Sequence, residues 1–307
     1  MDTSNQIPCG VLLIDKPAGA TSHDIVGWAR RQYGIRNIGH AGTLDPMATG
    51  VLPILVGRAT KLSPYLSDHD KTYLATLRLG QVTTTGDIWG ETVRTEAVPE
   101  GTGLEQVRMS AARLTGRIVQ VPPMYSALKK DGQKLVDLAR RGIEVEREGR
   151  EVMIYEIECD RGTGSHEYSL RVHCGKGTYI RTLCEDMGKI LGCGGTMAGL
   201  RRISVGSFDI SQCHTKEEIE GMTPEARIDA LVPPGKALPS LPQIRLPAFY
   251  ERLFRNGAKI SARKAGVEDV PGDLALIVGA NGHVFAVSDI IREENDIWFH
   301  PSCFLEL

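Results

Sequence analysis

The sequence predicts an α+β protein: a domain built on a mixed, largely antiparallel central sheet with flanking helices, followed by a small C-terminal β-barrel. Its 307 residues are enough for two domains. Strand-like and helix-like patterns follow one another up to about residue 230. A proline-rich segment then separates them from a short region with a strong hairpin signal.

The first predicted elements are a strand and a helix. Gly10–Lys16 is a short apolar run closed by Pro17, which is typical of a buried strand. Thr21 offers an N-cap and Asp24 follows three residues later. This capping-box pattern predicts a helix that continues to about Arg31.

The middle of the chain alternates between loops and regular elements. Residues 39–50, GHAGTLDPMATG, contain glycines and a proline that disfavour regular structure and predict a loop. A second, partly basic loop is predicted at 121–131. Strands are predicted at 51–56, 71–80, 151–159, 166–174 and 201–208. Helices are predicted at 104–114, 133–141 and 179–191, and from Thr223 onwards.

The proline-rich segment divides the chain into two predicted domains. Residues 231–247 contain five prolines, a composition typical of an extended linker. Beyond it, apolar runs at 274–280 and 283–289 flank Asn281-Gly282, the strongest short signal for a hairpin. We therefore predict a larger domain at 1–232, a linker at 233–247 and a β-rich domain at 248–307.

Composition and charge exclude some classes of protein and leave others open. The hydrophobic fraction is 41% and no apolar run is long enough to span a bilayer. The N-terminus has no basic start and no small-residue cleavage site, so a cytoplasmic location is expected. The net charge of -2 argues mildly against a nucleic-acid partner. A local basic face on a neutral protein can nevertheless bind phosphates.

The seven cysteines do not predict a disulfide framework or a metal site. Their number is odd and no pair has the spacing C-x-x-C. Thiols of this kind in a cytosolic protein are usually reduced and often buried. His173–Cys174 and Cys213–His214 are isolated neighbours, and adjacent side chains rarely face one metal, so no metal is expected.

The loop at 39–50 is the strongest candidate for chemistry. It brings His40, Thr43 and Asp45 onto one glycine-rich segment between two predicted core strands. Glycines allow a backbone to approach a ligand closely. On residue type alone, Asp45-Pro46 is equally compatible with an ordinary Asp–Pro turn.

Five sequence motifs, which occur in the order typical of one known family, favour a catalytic role for Asp45 over an ordinary turn. GHAGTLDPMATGVLPILVGRATK, beginning at Gly39, resembles the signature of the bacterial TruB family of tRNA pseudouridine synthases. The further segments that resemble the family are KPAGATS (16–22), DKTYLATLRLG (70–80), GKGTYIRTL (175–183) and LRRISVGSF (200–208). The resemblance covers roughly residues 9–220 and implies the pseudouridine synthase fold. The C-terminal region more weakly resembles the PUA-like RNA-binding domain of bacterial members.

The resemblance implies a role for each matching residue. Asp45 matches the catalytic aspartate, and Arg181 matches an arginine that pairs with it. Tyr73 matches a tyrosine that stacks on the target base and is a candidate for proton removal. His40 matches a histidine that fills the space left by the flipped nucleotide. Positions that line or flank the pocket are matched by Lys16, Lys61, Tyr179 and Leu200.

Residue types alone leave blander roles open. Tyr73 and Tyr179 are also compatible with core aromatics, and Arg181 with a structural ion pair. His40 suits a hydrogen-bonded loop histidine, and Leu200 suits core packing. The ordered motifs, and not the residue types, favour the catalytic interpretation.

The chemistry of the family explains these residue types. Pseudouridine formation breaks the N1–C1′ bond and rejoins the sugar to C5, so nothing is oxidised and no cofactor is expected. A carboxylate can form a covalent intermediate with the base or the sugar. Burial raises the pKa of a carboxyl group, and a bidentate arginine opposes that rise and orients the group. Asp45 and Arg181 are therefore a coherent pair.

Binding of RNA is expected from local basic groups. A mobile element that closes over the RNA arm in the family corresponds to a segment containing Lys129, Lys130, Lys134, Arg140 and Arg141. The same segment is compatible with a solvated charged helix. In the C-terminal domain, no motif assigns a role to Arg252, Arg255 or Lys259.

The resemblance implies a T-arm uridine of tRNA as target, with no obligate protein partner and a monomeric enzyme. Two rivals are a guide-RNA-dependent subunit of the same superfamily and an RNA-folding chaperone that only binds tRNA.

Two departures from the family pattern concern substrate contacts: VTTTGDIWG at 82–90 lacks an acidic residue near Thr84, and Gly194-Gly195 replaces a more typical pair.

Overall fold

A computed structural model describes residues 8–293 and 296–306. Most of the N-terminal segment from which we argued against a secretory signal, residues 1–7, lies outside these ranges. The described strands are β1 (Gly10–Lys16), β2 (Ile38–His40), β3 (Thr49–Val56), β4 (Lys71–Leu79), β5 (Gln81–Thr83), β6 (Thr92–Thr95), β7 (Gly116–Gln120), β8 (Lys129–Lys130), β9 (Gln133–Lys134), β10 (Arg150–Arg161), β11 (Glu167–Cys174), β12 (Gly195–Val205), β13 (Phe208–Asp209), β14 (Gln243–Arg245), β15 (Ile260–Ser261), β16 (Leu274–Val278), β17 (Val284–Glu293) and β18 (Asp296–Phe304).

Helices lie between these strands. The described α-helices are α1 (Ser22–Tyr33), α2 (Ser63–Ser67), α3 (Leu104–Arg113), α4 (Leu135–Arg140), α5 (Ile180–Leu191), α6 (Lys216–Gly221), α7 (Pro224–Asp229), α8 (Pro234–Ala237) and α9 (Ala248–Arg255). Short 3₁₀ helices occupy Gly57–Leu62, Ile210–Gln212 and Ala262–Ala265. In the described part of the chain, no helix is both long and apolar enough to cross a membrane.

The central sheet has nine strands and is largely antiparallel, as predicted. Its order is β1-β3-β12-β4-β11-β10-β7, with β2 paired to β3 and β13 paired to β12. Every pairing in this sheet is antiparallel except the short contact between β12 and β3, where Arg201 lies opposite Thr49. The mixed α+β prediction is confirmed.

The central sheet is buried on both faces near β1 and β3. Leu12 and Ile14 of β1 belong to a first core that packs α1, α3 and α5 against the sheet. Val11 and Leu13 point to the other face, into a second core. Burial on both faces explains why β1 is a continuous apolar run and does not alternate.

The second core joins the two predicted domains. It contains Leu62 and Leu66, beside the central sheet, and Leu276 and Leu305 from the C-terminal sheet. The strand order there is β14-β16-β17-β18-β15, so β14 and β15 are its edges. The predicted barrel is confirmed as a curled half-barrel sheet. The hairpin at Asn281-Gly282 joins β16 to β17 as expected.

Several helix starts follow the sequence signals closely. The Thr21 side chain accepts a hydrogen bond from the Asp24 backbone, and the Asp24 carboxylate accepts one from the Thr21 backbone at 2.8 Å. This capping box starts α1, which ends two residues beyond Arg31 at Tyr33. Local side-chain hydrogen bonds of this kind need no tertiary context, so the sequence reveals them.

The predicted loop at 39–50 is shorter than expected. Its ends are strands, because β2 reaches His40 and β3 begins at Thr49. Gly50 lies in β3 with φ +104, and a Cβ there would come within 2.1 Å of the Arg202 carbonyl oxygen. The glycine at position 50 therefore allows β3 and β12 to approach each other closely. The prediction of a loop over 39–50 did not anticipate this role.

The strand predicted at 201–208 begins earlier and ends sooner. β12 starts at Gly195 and stops at Val205, and Phe208 belongs to the separate β13. A Cβ on Gly195 would lie 2.3 Å from the Cys184 carbonyl oxygen of α5. The glycine pair that departs from the family pattern thus permits close packing of β12 against α5.

Two further predictions need correction. The predicted linker at 233–247 contains α8 and β14, and its Ala237 and Leu238 belong to the second core, so the region packs and is not an extended spacer. The helix predicted at 133–141 covers only Leu135–Arg140, because Gln133–Lys134 pairs with Lys129–Lys130 in a hairpin. The β5–β6 hairpin was missed because β6 is wholly exposed and carries no apolar pattern.

Candidate active site

The loop at 41–48 holds Asp45 at the junction of α1 and the central sheet. The Ser22 hydroxyl, in the first turn of α1, accepts a hydrogen bond from the Leu44 backbone at 2.9 Å and donates one to the Leu44 carbonyl at 3.1 Å. Ala48 donates its backbone hydrogen bond to the Asp45 carbonyl at 3.0 Å. The backbone on both sides of Asp45 is therefore fixed.

Two buried cations support this loop from inside the protein. Arg202 of β12 donates to the carbonyls of Val51 at 2.8 Å and Gly42 at 3.0 Å. Lys16, at the end of β1, donates to the Ala20 carbonyl at 2.7 Å and contacts the Pro46 carbonyl at 3.4 Å. Both side chains are almost fully buried, so the carbonyls compensate for the lost hydration of the charges.

Asp45 forms a two-point ion pair with Arg181. The Arg181 Nε lies 2.9 Å from Asp45 Oδ2, and Nη2 donates to Oδ1 at 3.2 Å. The Arg181 side chain is 5% exposed, whereas that of Asp45 is 32% exposed. The carboxylate is thus oriented by a buried guanidinium while one side stays open to a ligand.

Arg181 contacts three residues besides Asp45. It lies in the first turn of α5 and donates to the Thr85 carbonyl at 2.9 Å and to the Tyr125 carbonyl at 2.8 Å. Asp87 approaches its Nε at 4.0 Å. The guanidinium therefore joins three walls of one cleft: the 41–48 loop, the 83–90 loop and the start of the 121–149 segment.

Asp87 is a site residue that the sequence analysis missed. Its side chain is about 10% exposed, and Oδ1 accepts hydrogen bonds from the Thr85 hydroxyl at 2.8 Å and the Trp89 backbone at 3.0 Å. It lies in VTTTGDIWG, which was noted only for lacking an acidic residue near Thr84. The acidic side chain that reaches Arg181 comes three residues later, a shift that only the loop conformation reveals.

Burial and neighbouring charges act in opposite directions on Asp45. Desolvation raises the pKa of Asp45, the Arg181 guanidinium lowers it, and the Asp87 carboxylate raises it again. The net result is a pKa above the ordinary aspartate value. Ionisation of Asp45 therefore depends on Arg181 more than it would at an exposed position.

Tyr73 lies beside this ion pair on β4, paired with Arg202 of β12. Its side chain is buried in the first core. Burial raises the pKa of Tyr73, the Arg202 charge opposes this, and the Asp45 carboxylate contributes to the rise. The phenol thus stays protonated at neutral pH.

Three further predicted pocket residues, Tyr179, His40 and Leu200, are each partly buried. Tyr179 precedes α5 and exchanges hydrogen bonds with the Gln120 side chain, at 3.0 and 3.3 Å. His40 ends β2, and burial lowers its pKa, so its ring is neutral. Leu200 is half-buried on β12 beside the first core.

The two lysines predicted to line or flank the pocket lie in different surroundings. Lys16 is fully buried, and burial lowers its pKa to about 8 even though the Asp45 charge opposes this. It flanks the loop from beneath and has no surface for a ligand. Lys61 is exposed on the 3₁₀ helix Gly57–Leu62, whose apolar residues belong to the second core. The structure does not bring Lys61 to Asp45.

The predicted RNA-binding segment projects from the cleft. Lys129–Lys130 and Gln133–Lys134 form an exposed hairpin followed by α4, with Arg140 at the end of α4 and Arg141 just after it. Lys130 donates to the Glu146 carbonyl at 2.6 Å. All five predicted basic side chains are solvent-exposed.

Comparison with known proteins assigns this site to a family. Residues 30–180 match the TruB family pseudouridylate synthase N-terminal domain, and residues 181–238 match the tRNA pseudouridylate synthase B C-terminal domain. The chain belongs to the TruB family. Among TruB relatives, the tRNA pseudouridine synthase B of Dechloromonas aromatica is 46% identical over 89% of this chain and 92% of its own. That of Aromatoleum aromaticum is 46% identical over 82% of this chain and 81% of its own.

Solved structures agree with the TruB assignment. A chain in a Cbf5-Nop10-Gar1 complex has a TM-score of 0.73 with 26% identity, covering 96% of this chain and 84% of that one. A chain in an archaeal box H/ACA Nop10-Cbf5 complex has a TM-score of 0.71 with 25% identity, covering 99% and 88%. The likeness extends past residue 238, where the family matches end, into the C-terminal sheet.

Proposed function

We propose that this chain isomerises uridine to pseudouridine in tRNA, with Asp45 as the nucleophile. The observation that carries the proposal is the two-point ion pair between a partly open Asp45 carboxylate and a buried Arg181 guanidinium. Curated relatives at 42–46% identity that share most of the chain are named tRNA pseudouridine synthase B. The activity named for these relatives and the geometry of the Asp45–Arg181 pair therefore both support the cleft around Asp45 as the active site.

The reaction exchanges one bond to the sugar for another. The N1–C1′ bond breaks, the C5–C1′ bond forms, C5 loses a proton to a base and solvent, and N1 gains a proton. No electrons are gained or lost overall, so the chemistry requires a nucleophile and proton transfer but no redox partner. Asp45 supplies the nucleophile through a covalent bond to the base or the sugar.

Arg181 keeps that nucleophile usable. The cleft becomes drier when a base enters, which favours the protonated carboxyl group. The buried guanidinium opposes this effect and fixes both carboxylate oxygens. Arg181 also donates hydrogen bonds to the Thr85 and Tyr125 carbonyls. These bonds hold the guanidinium in place when Asp45 forms a covalent bond and loses its negative charge.

Aromatic side chains offset the cost of taking the uridine out of its stack. Extrusion of a base costs a few kcal/mol, and one stacked aromatic contributes roughly 1–3 kcal/mol. Tyr73 serves as such a surface, because its raised pKa disfavours a phenolate base. Tyr179, the N-cap residue of α5 two positions before Arg181, is the second aromatic side chain proposed to stack on RNA.

The target is proposed to be the T-arm uridine implied by the family resemblance. The exposed basic segment at 129–141 acts as the clamp on that arm, and the C-terminal sheet adds a second RNA contact. This self-contained clamp favours a stand-alone monomeric enzyme over a guide-RNA-dependent subunit. Turnover of tRNA by the purified chain alone discriminates the two.

The decisive test is tritium release from tRNA labelled at uridine C5. Wild type is expected to release tritium and to form pseudouridine in the T loop. Asp45→Asn should reduce release by roughly 10⁴-fold or more, while filter binding of tRNA changes less than about threefold. Asp15→Asn, which alters an aspartate paired with Arg201 outside the cleft, is the matched control and should remain active.

Two outcomes would contradict this proposal. Equal loss of binding and turnover in Asp45→Asn would make Asp45 a structural residue. Binding with no turnover by wild type would favour the chaperone alternative.

A further inference from the structure

An exposed tryptophan lies at the tip of the 83–90 loop. Gly90 donates its backbone hydrogen bond to the Asp87 carbonyl at 3.1 Å, which closes a turn with Ile88 and Trp89 at its corner. Trp89 is 58% exposed and Ile88 is 38% exposed. Corner positions of turns are usually polar, so an indole and an aliphatic side chain here place apolar surface in water without a partner.

The turn is fixed to the catalytic cleft on two sides. The Ile88 backbone donates to the Met197 carbonyl of β12 at 3.1 Å, and Met197 donates to the Gly86 carbonyl at 3.0 Å. A Cβ on Gly86 would come within 2.3 Å of the Glu185 carboxylate of α5. The loop therefore has little freedom to fold Trp89 back onto the protein.

A chain of three contacts leads from Trp89 to the nucleophile. The Trp89 backbone donates to Asp87 Oδ1 at 3.0 Å, Asp87 Oδ2 lies 4.0 Å from Arg181 Nε, and the same Nε lies 2.9 Å from Asp45. The Trp89 backbone is thus linked through Asp87 and Arg181 to the nucleophile, and its side chain is exposed at the tip of a loop that forms one wall of the cleft.

The chemistry of this loop favours a nucleobase as the occupant. The Asp87 carboxylate is engaged within its own loop, so the turn offers an aromatic surface and no cation for a phosphate. A flat aromatic side chain stacks on any base, whatever its hydrogen-bonding edge. Extrusion of the target uridine leaves its neighbours with an uncovered face that such a side chain can cover.

We propose that Trp89 stacks on an unpaired nucleotide next to the target uridine and so strengthens binding of the RNA substrate. This inference rests on the proposed function, since it assumes that a uridine enters the Asp45 cleft. Trp89 acts in binding and has no part in bond breaking.

Kinetics on tRNA provide the first test. Trp89→Ala should raise KM about 5- to 100-fold, the range expected for loss of one stacked base, with kcat within about twofold of wild type. Trp89→Phe should restore most of the loss, because a smaller ring still stacks. Met109→Ala, which removes a 62% exposed apolar side chain from α3, is the matched control and should leave KM unchanged.

Tryptophan fluorescence provides a second test that does not need turnover. Trp89 is the most exposed of the three tryptophans, so its emission should be quenched when tRNA binds. The quenching should disappear in Trp89→Phe. An inactive wild type whose Trp89 emission is still quenched by tRNA would refute the isomerase proposal and, with it, the placement of Trp89 next to a target uridine, while showing that Trp89 contacts RNA.

Three results would overturn the inference. The first is a KM for Trp89→Ala within twofold of wild type. The second is a fall in kcat at unchanged KM, which would make Trp89 a positioning residue for Arg181. The third is quenching by tRNA that is the same in wild type and Trp89→Phe.

Discussion

The Asp45 cleft and the basic segment at 129–141 use charge in opposite ways. In the cleft, Arg181 and Arg202 are buried and each bonds several fixed oxygen atoms. In the segment, all five basic side chains are exposed; Lys130 donates to the Glu146 carbonyl, and Arg141 donates to the Asp137 carbonyl and to the Gln133 side chain within the same segment. One region fixes charges before the substrate arrives, and the other offers charges that adapt to it.

This difference predicts which changes affect chemistry and which affect affinity. A buried charge with several partners cannot be removed without leaving unsatisfied groups. An exposed charge contributes mainly through phosphate contacts, whose energy depends on salt. Variants in the cleft should therefore lower kcat or stability, and variants in the segment should change tRNA affinity and its salt dependence.

The largest effect among these is expected for Arg181→Lys. The ammonium keeps the charge but cannot bind both oxygens of Asp45 and two carbonyls at once. We expect kcat to fall about 10²- to 10³-fold with little change in KM, measured by single-turnover tritium release. A fall below tenfold would show that charge alone is sufficient and would weaken the contrast between the two regions.

The next effect compares two adjacent arginines of β12. Arg202→Met should lower the free energy of unfolding by about 2–4 kcal/mol, because the carbonyls of Gly42 and Val51 lose a buried charged donor. Arg201→Met removes a partly exposed pair with Asp15, whose side chains are 40% and 27% exposed, and a hydrogen bond to the Thr49 hydroxyl, and should cost no more than about 1 kcal/mol. Urea unfolding measures both, and equal costs would refute the buried-support role.

A smaller effect is expected from the basic segment. Combined replacement of Lys129, Lys130 and Lys134 by alanine should weaken tRNA binding roughly tenfold and reduce the slope of log K against log salt by about two to three. The single-turnover rate at saturating enzyme should stay within about twofold. Filter binding over a salt series measures the slope. An unchanged slope would identify the segment as a solvated charged surface.

The smallest effect concerns pH and Lys16. Burial lowers its folded pKa from 10.5 to about 8, so between these values the unfolded chain binds more protons than the folded one. The free energy of unfolding therefore rises as pH increases through that window. Below pH 8, Lys16 is protonated in both states, and the full cost of burying its charge destabilises the fold. From pH 8 to 9, wild type should gain about 1 kcal/mol relative to Lys16→Met in urea unfolding. Parallel profiles of the two proteins would contradict the shift.

Much of the fold was predictable from local patterns. β1 coincides with its predicted range, and the capping box starts α1 where Thr21 and Asp24 indicate. The Asn281-Gly282 hairpin also lies where predicted. These signals depend on neighbours within a few residues, so no distant contact can alter them. The extended-linker prediction failed because Ala237 and Leu238 pack into the second core, and such long-range packing leaves no local signal.

The sequence by itself determined the candidate nucleophile, its arginine and the family, because ordered motifs preserve the identity of each residue. Only the tertiary structure decided that Asp45 and Arg181, 136 residues apart, share one two-point contact. It also decided that Lys16 lies under the loop, that Asp87 reaches Arg181, and that Trp89 remains exposed beside them. Burial and orientation arise from packing between distant segments, and one linear pattern does not encode either for a single charged or aromatic side chain.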